Sequence, residues 1–333
     1  MCAQTYARFN QLMAILNGGE TTHARKVAII GAGSIGTGLA VVYSHAGHTV
    51  SIFDAAPAQR QRVLQEVRRI LYDLQEFGLV ALPADEIVRK VQVVDNLNDA
   101  VSSAEFIHEC APEDLGIKRR IMKELDEVAP ANAVIASASS AITASEFADR
   151  LPGRARCLVA HPGNPPYLLR VMEIVPAAFT SEDAVRRALS FMASAELAPI
   201  RVRRELNGFV FNRLQGAVLR EAYCLVRDGV ASVEEIDRLV RDGLGLRWSV
   251  IGPFETVDLN TRGGIGRHAR ILGPAYHAMG AERGQDDPWT QGLVSEIESQ
   301  RRAIMPLDQW DDRVRWRNRK LMSLIAARES EQD

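Results

Sequence analysis

The chain has 333 residues, 47% hydrophobic and 25% charged, with a formal net charge of -2 and a sequence pI near 6.4. This is enough apolar material for a substantial core and enough length for two domains, while the near-neutral balance gives no general attraction to nucleic acid or an anionic membrane. Four scattered cysteines without a CxxC pair argue against a zinc cluster or disulfide framework, and no apolar run approaches the roughly 18 residues of a membrane helix, so a reducing cytoplasm is the expected setting.

Residues 1–25 read as a loose N-terminal extension, with a transit peptide as the alternative because acidic residues are few there. From Lys26 the order is strand, turn, helix, strand. Residues 27–30 are a continuous apolar run of the kind buried on both faces of a parallel sheet. Gly31, Gly33 and Gly36 follow at once and open an apolar helix through Leu39 to Tyr43, which Gly47 ends. Residues 49–53 form a second strand closed by Asp54. Residues 58–77 are a charged amphipathic helix stopped by Gly78, and short strands follow at 91–94, 106–108, 134–136 and 157–159 with helical stretches between several of them. The alternation predicts an α/β fold class, with a Rossmann-type doubly wound sheet over residues 26–204. Strand signals then fade. Residues 209–227 and 233–240 have helical spacing, so 205–327 is expected to be an all-helical C-terminal domain and 328–333 a solvated tail.

The glycine cluster matches GxGxxG. Gly31 permits the tight turn, Gly33 lets a pyrophosphate approach the backbone, and Gly36 allows close helix packing, so Gly31, Gly33, Ser34, Ile35 and Gly36 form the candidate phosphate loop at a helix N-terminus. Asp54 ends the next strand about 20 residues on, where a carboxylate accepts hydrogen bonds from an adenosine ribose and repels a 2′-phosphate. NAD is therefore expected over NADP, although nearby Arg60 and Arg62 leave some room for the latter and Asp54 also suits a plain turn cap.

His161 follows a late strand, and Glu173 lies in the next apolar run, residues 171–175. A carboxylate on one imidazole nitrogen fixes the tautomer and leaves the other nitrogen to exchange a proton with a substrate hydroxyl, as alcohol oxidation requires. The histidine alternatives are blander. His45 and His48 bracket Gly47 with no third ligand near in sequence, so no metal is expected, and His108 reads as a packed or sheet-end residue.

Beyond residue 25 the sequence resembles the 3-hydroxyacyl-CoA dehydrogenase superfamily. The resemblance is carried by the GAGSIG loop, Glu113 and Lys118 in ECAPEDLGIK, Ser139 in SASS, His161 and Asn164 in HPGNPP, Glu173 in VMEIVP, Asn212 in NGFVFNRL, and GPFE at 252–255. It implies a catalytic dyad of His161 and Glu173, with Ser139 and Asn212 bonding the reacting oxygen or substrate. It also implies Glu113 and Lys118 at the cofactor's ribose and nicotinamide side, with Ser139 and Asn164 counted among the cofactor residues. The helical domain would bind substrate and form a homodimer. One departure is Ser137-Ala138, where the family usually has Asn-Thr.

Within the superfamily, HPGNPPYLLRVMEIVPAAFT, DGLGLRWSVIGPFETVDLN and DDRVRWRNRKL look most like the lambda-crystallin and L-gulonate 3-dehydrogenase branch. There Arg247 either places a bidentate guanidinium on a free substrate carboxylate or is a surface residue. Arg60, Arg62, Arg68 and Arg69 either support a CoA group or form a solvated helix face. The leading expectation is NAD-dependent oxidation of the C3 hydroxyl of a free 3-hydroxy acid such as L-gulonate, with a carnitine-like acid also in range. An (S)-3-hydroxyacyl-CoA is the alternative substrate, and a non-enzymatic NAD-binding crystallin-like protein the second alternative. Small molecules and a second copy are the expected partners, with neither nucleic acid nor membrane.

Overall fold

The computed structural model describes residues 24–262, 264–283, 290–304 and 306–330, so most of the expected N-terminal extension and the last three residues of the expected tail lie outside the described residues. In chain order the elements are β1 (Lys26–Ile30), α1 (Ser34–His45), β2 (Thr49–Phe53), α2 (Pro57–Glu76), α3 (Ala84–Val88), β3 (Val91–Val93), α4 (Leu97–Val101), β4 (Phe106–Glu109), α5 (Leu115–Val128), β5 (Val134–Ser137), α6 (Ala144–Ala148), β6 (Cys157–Pro162), β7 (Val171–Pro176), α7 (Glu182–Ser194) and β8 (Ala198–Arg201). There follow α8 (Phe211–Arg227), α9 (Val233–Leu239), a π-turn (Val240–Gly245), α10 (Leu246–Trp248), α11 (Pro253–Asn260), α12 (Gly264–Arg283), α13 (Gln291–Ile304) and α14 (Trp310–Ser330).

The strands make one sheet in the order β3-β2-β1-β4-β5-β6-β7-β8. β1 to β6 run parallel, β7 is antiparallel to β6, and β8 is parallel to β7. This is the doubly wound arrangement expected, in which the order of strand addition reverses between β1 and β4 and opens a crevice at the carboxyl ends of the strands. Alternate residues of β1 feed opposite layers, Val27 and Ile29 packing with Leu39, Val67 and Phe191, and Ala28 and Ile30 with Met122 and Leu125. Burial on both faces explains why β1 reads as an unbroken apolar run.

The sequence reading stops short at β8. Its residues are largely exposed and include Pro199 and Arg201, so neither alternation nor apolar continuity marks it.

Two compact units are present. Among the described residues, the first comprises those up to Arg213 and from Arg315 onward, and the second those between Leu214 and Val314. This differs from the division at 204/205 read in the sequence. The first unit includes most of α14, whose Met322 is buried in the sheet core beside partly buried Leu321 and Ile325, and α14 runs to Ser330, into the stretch read as tail. All the secondary structure of the second unit is helical among its described residues, with α9 opened by a capping box of Ser232 and Glu235 and Arg283 paired to Glu221 at 3.1 Å.

Candidate active site

The glycine loop follows β1. Gly31 has φ +113°, and a Cβ there would also stand 2.6 Å from the Cys110 carbonyl oxygen, so both backbone conformation and space require glycine. A Cβ on Gly36 would stand 1.9 Å from the Gly31 carbonyl oxygen. At Gly33 it would meet nothing within 4 Å. The loop is therefore sealed on its inner side and open at Gly33, the position where a pyrophosphate needs approach to the backbone. Gly33 caps α1, no side chain caps the helix, and its first turn holds no acid, which leaves the dipole free for an anion. These residues fit NAD.

Asp54 is more than a turn cap. Its Oδ1 accepts from the Ala56 amide (2.8 Å), while Oδ2 accepts from the Ala32 amide inside the glycine loop (2.7 Å), tying the end of β2 to the phosphate loop. Arg60 turns away from this carboxylate, donating to the Asp54 carbonyl (2.7 Å) with its guanidinium 5.9 Å from the Phe53 ring centroid.

His161 and Glu173 are direct register partners across the antiparallel β6–β7 pair. Their side chains meet at 2.8 Å between His161 Nδ1 and Glu173 Oε2, and both residues are buried, at 6% and 4% exposure. Glu173 Oε1 accepts from the Val210 amide (2.8 Å) and the Phe211 amide (3.0 Å) at the start of α8. These amides are presented by a left-handed turn, with φ +73° at Gly208 and +49° at the fully buried Phe209. The sequence reading began the helix at 209; the turn delays it to Phe211. Burial pushes the Glu173 carboxyl upward, but hydrogen bonds from His161, Phe211 and Val210 outweigh it and hold the group below its ordinary value. The imidazole lies against Phe209 and Phe211, with ring centroids 5.6 and 6.3 Å away. With Nδ1 engaged by the carboxylate, Nε2 is the nitrogen available for proton exchange.

Ser139 and Glu113 are joined. The Ser139 hydroxyl donates to Glu113 Oε1 (2.6 Å), which also accepts from the amides of Ser140 (3.1 Å) and Ala141 (2.9 Å). Burial raises the Glu113 carboxyl, and these hydrogen bonds with the Lys118 charge bring it to a net lowering. Asn212, in the first turn of α8, donates from Nδ2 to the Ser140 carbonyl (2.9 Å), linking this segment to the helix that clamps Glu173. Lys118 is buried and directs its ammonium inward, to Glu109 Oε1 (3.1 Å) and Oε2 (3.0 Å), with Glu113 Oε2 at 3.6 Å. Glu109 was missed by the sequence reading. The signal was an acid closing a strand whose neighbours are apolar, since a glutamate is almost never fully buried unless paired.

Asn164 is exposed in the loop after β6. Arg247 belongs to the second unit, where it lies exposed on α10. Among the described residues no three His, Cys, Asp or Glu side chains converge as a metal site, and none of the described helices is long and apolar enough to cross a membrane.

The model of the 3-hydroxyacyl-CoA dehydrogenase NAD-binding domain matches residues 26–206, and that of the family's C-terminal domain matches 208–304. The chain belongs to this family. It is an NAD-dependent oxidoreductase of the 3-hydroxyacyl-CoA dehydrogenase type, with a Rossmann-like sheet followed by helices. Among relatives, the dehydrogenase is 37% identical to the lambda-crystallin of Oryctolagus cuniculus over 72% of this chain and 76% of the other. It is 34% identical to an L-carnitine dehydrogenase of Oceanobacillus iheyensis over 82% and 85% of the two chains. A solved structure of 5-formyl-3-hydroxy-2-methylpyridine 4-carboxylic acid 5-dehydrogenase, described as an NAD+ dependent dismutase, superposes with a TM-score of 0.79 at 26% identity, covering 91% of this chain and 97% of that one.

Proposed function

We propose that this dehydrogenase oxidises the C3 hydroxyl of a 3-hydroxy acid bearing a free carboxylate, L-gulonate-like, with His161 as the proton acceptor. The observation that carries the reading is the buried pair of His161 and Glu173, held in register and fixed from behind by two backbone amides. An ionised Glu173 sets the Nδ1–H tautomer and offsets the charge that His161 gains, so Nε2 takes the hydroxyl proton on oxidation and returns it on reduction. When bound, NAD supplies the two-electron acceptor. Glu113, Ser139 and Asn212 stand in one hydrogen-bonded segment whose assigned task is to orient the substrate oxygen and the cofactor ribose.

The free-carboxylate preference is supported by the names of two similar proteins, a carnitine dehydrogenase and a dehydrogenase of a pyridine carboxylic acid. The family's own name favours the alternative, an acyl-CoA thioester. NAD reduction followed by absorbance, with paired panels of 3-hydroxy acids and (S)-3-hydroxyacyl-CoAs, tests the choice. Turnover of thioesters alone overturns the free-acid reading, and tight NADH binding without turnover on either panel favours a crystallin-like, non-enzymatic role. In the free-acid reading Arg247 holds the carboxylate, and Arg247→Ala raises KM for free acids while sparing thioesters. The same reading takes the protein as a cytoplasmic homodimer; the exposed apolar side chains of the second unit, among them Val250 and Phe254, support association, which light scattering measures.

A further inference from the structure

Glu109 closes β4, fully buried, in register with Ile30 of β1 and Ser137 of β5. Its Oε1 accepts from the Ala111 amide (2.6 Å) and from Lys118 Nζ (3.1 Å); Oε2 accepts from Lys118 Nζ (3.0 Å) and from the Ser137 hydroxyl. Every partner is a donor, the pattern that suits a carboxylate. A charge this deep is retained only when it is paired and hydrogen-bonded, and Glu109 meets both conditions.

Two of those partners lead back to the candidate site. Lys118 Nζ lies 3.6 Å from Glu113 Oε2. The Ser137 hydroxyl oxygen accepts from the Ser139 amide (3.2 Å), and the Ser139 hydroxyl donates to Glu113. The ring Glu109, Lys118, Glu113, Ser139, Ser137 therefore closes on itself, joining the turn after β4, the first turn of α5 and the segment after β5. Asn212 extends it to α8 through the Ser140 carbonyl.

We infer that Glu109 is a positioning residue for this site. It holds the Lys118 ammonium inside the fold, where the lysine acts as countercharge to Glu113, and through Ser137 it fixes the backbone of Ser139. Ser137 has this part because its hydroxyl donates to Glu109 and accepts from Ser139 at once. Neutralising Glu109 leaves Glu113 as the carboxylate nearest Lys118. Glu113 is then drawn off the amides of Ser140, Ala141 and Ile142, and the segment carrying Ser139 loses its anchor. A polar ring of this kind succeeds or fails as a unit.

The inference rests on reading Glu113 as cofactor-facing and Ser139 as substrate-facing. It is tested on the full chain by titrating the wild type, Glu109→Gln, Glu109→Asp and Ser137→Ala with NADH, following cofactor fluorescence, which needs no turnover. The expected dissociation constant rises about tenfold in Glu109→Gln and severalfold in Ser137→Ala. Glu109→Asp, which keeps the charge, recovers part of the loss. With a substrate that the wild type turns over, kcat falls by up to about 10²-fold while the melting temperature of Ser137→Ala stays near the wild-type value. Unchanged NADH affinity in both Glu109→Gln and Ser137→Ala overturns the inference. If Glu109→Gln does not fold, Ser137→Ala decides alone. A wild type that turns over no hydroxy acid defeats the proposed function while the NADH titration still decides the place of Glu109.

Discussion

Pro166, in the loop that follows His161, lies directly on Gly38 of the phosphate-loop helix: a Cβ at position 38 would stand 2.7 Å from Pro166 Cγ and 2.9 Å from Cδ. A glycine inside a helix ordinarily costs about 1 kcal/mol relative to alanine. Here the alanine has no room, because proline cannot swing aside as a flexible chain end would. Gly38→Ala is therefore expected to destabilise, by about 1–3 kcal/mol, and to lower kcat as well as NADH affinity because it moves both loops. A denaturant melt with unchanged midpoint would show that the contact relaxes freely.

The two glycines of the phosphate loop separate folding from binding. Gly33→Ala adds a methyl to open space, so its melting temperature stays near that of the wild type while NADH affinity falls about tenfold or more. Gly36→Ala drives a methyl into the Gly31 carbonyl and is expected to lose folded protein before binding can be measured. Equal melting temperatures for the two variants would contradict this division.

His161→Gln removes the proposed proton acceptor without emptying the space, and kcat is expected to fall by about 10²–10⁴-fold with NADH affinity retained. Glu173→Gln keeps a hydrogen-bond acceptor for the α8 amides but loses the charge that supports imidazolium formation, so its kcat loss is expected to be large and accompanied by a moved acid limb of the pH profile. Single-turnover measurements on both variants settle it; wild-type chemistry in His161→Gln would remove the residue from the reaction.

Stability is expected to fall as pH drops from about 6.5 to about 4. Burial pushes His108 down to about 4, against its hydrogen bond to the Ala160 carbonyl, and burial with the nearby Arg25 charge pushes His48 down to about 4. Across that window the unfolded chain binds protons that the folded chain refuses, so stability is full above the ordinary histidine value and lost on acidification. Glu113 and Glu173, both held below their ordinary values, add a further loss in more acid solution, where the unfolded chain protonates them first. Melting temperatures at pH 7, 5.5 and 4.5 should decline in order, with a shallower slope in His108→Gln. A flat series would mean that the folded protein accepts these protons.

Local signals in the sequence and contacts that only the fold creates account for what was and was not legible. The glycine loop, β2 with Asp54, and His161 were readable because each sits in a short stretch whose spacing carries its own physics. That Glu173 meets His161 required the antiparallel register of β6 and β7, which the apolar run at 171–175 suggested but did not fix. The left-handed Phe209 gave no local sign, since a bulky residue is ordinarily excluded from that conformation and tertiary packing overrides the preference. Lys118 was expected at the cofactor and Glu109 carried no expectation; their meeting at full burial depends on α5 returning over β4.

The burial of Met322 against the sheet core also sets an order of events during synthesis. Asn318 donates to the Tyr167 hydroxyl at 2.8 Å, and Arg319 lies over the Phe77 ring with its guanidinium 4.9 Å from the centroid while pairing with Glu76, so three neighbours of the cofactor half wait for one late helix. A ribosome that has translated the whole sheet has not yet delivered the residues that seal it. The nascent first unit must pass through a stage with an uncovered apolar face while Leu214–Val314 is being made, and a chain arrested before residue 315 should be held by chaperones or cleaved by proteases even though every strand is in place.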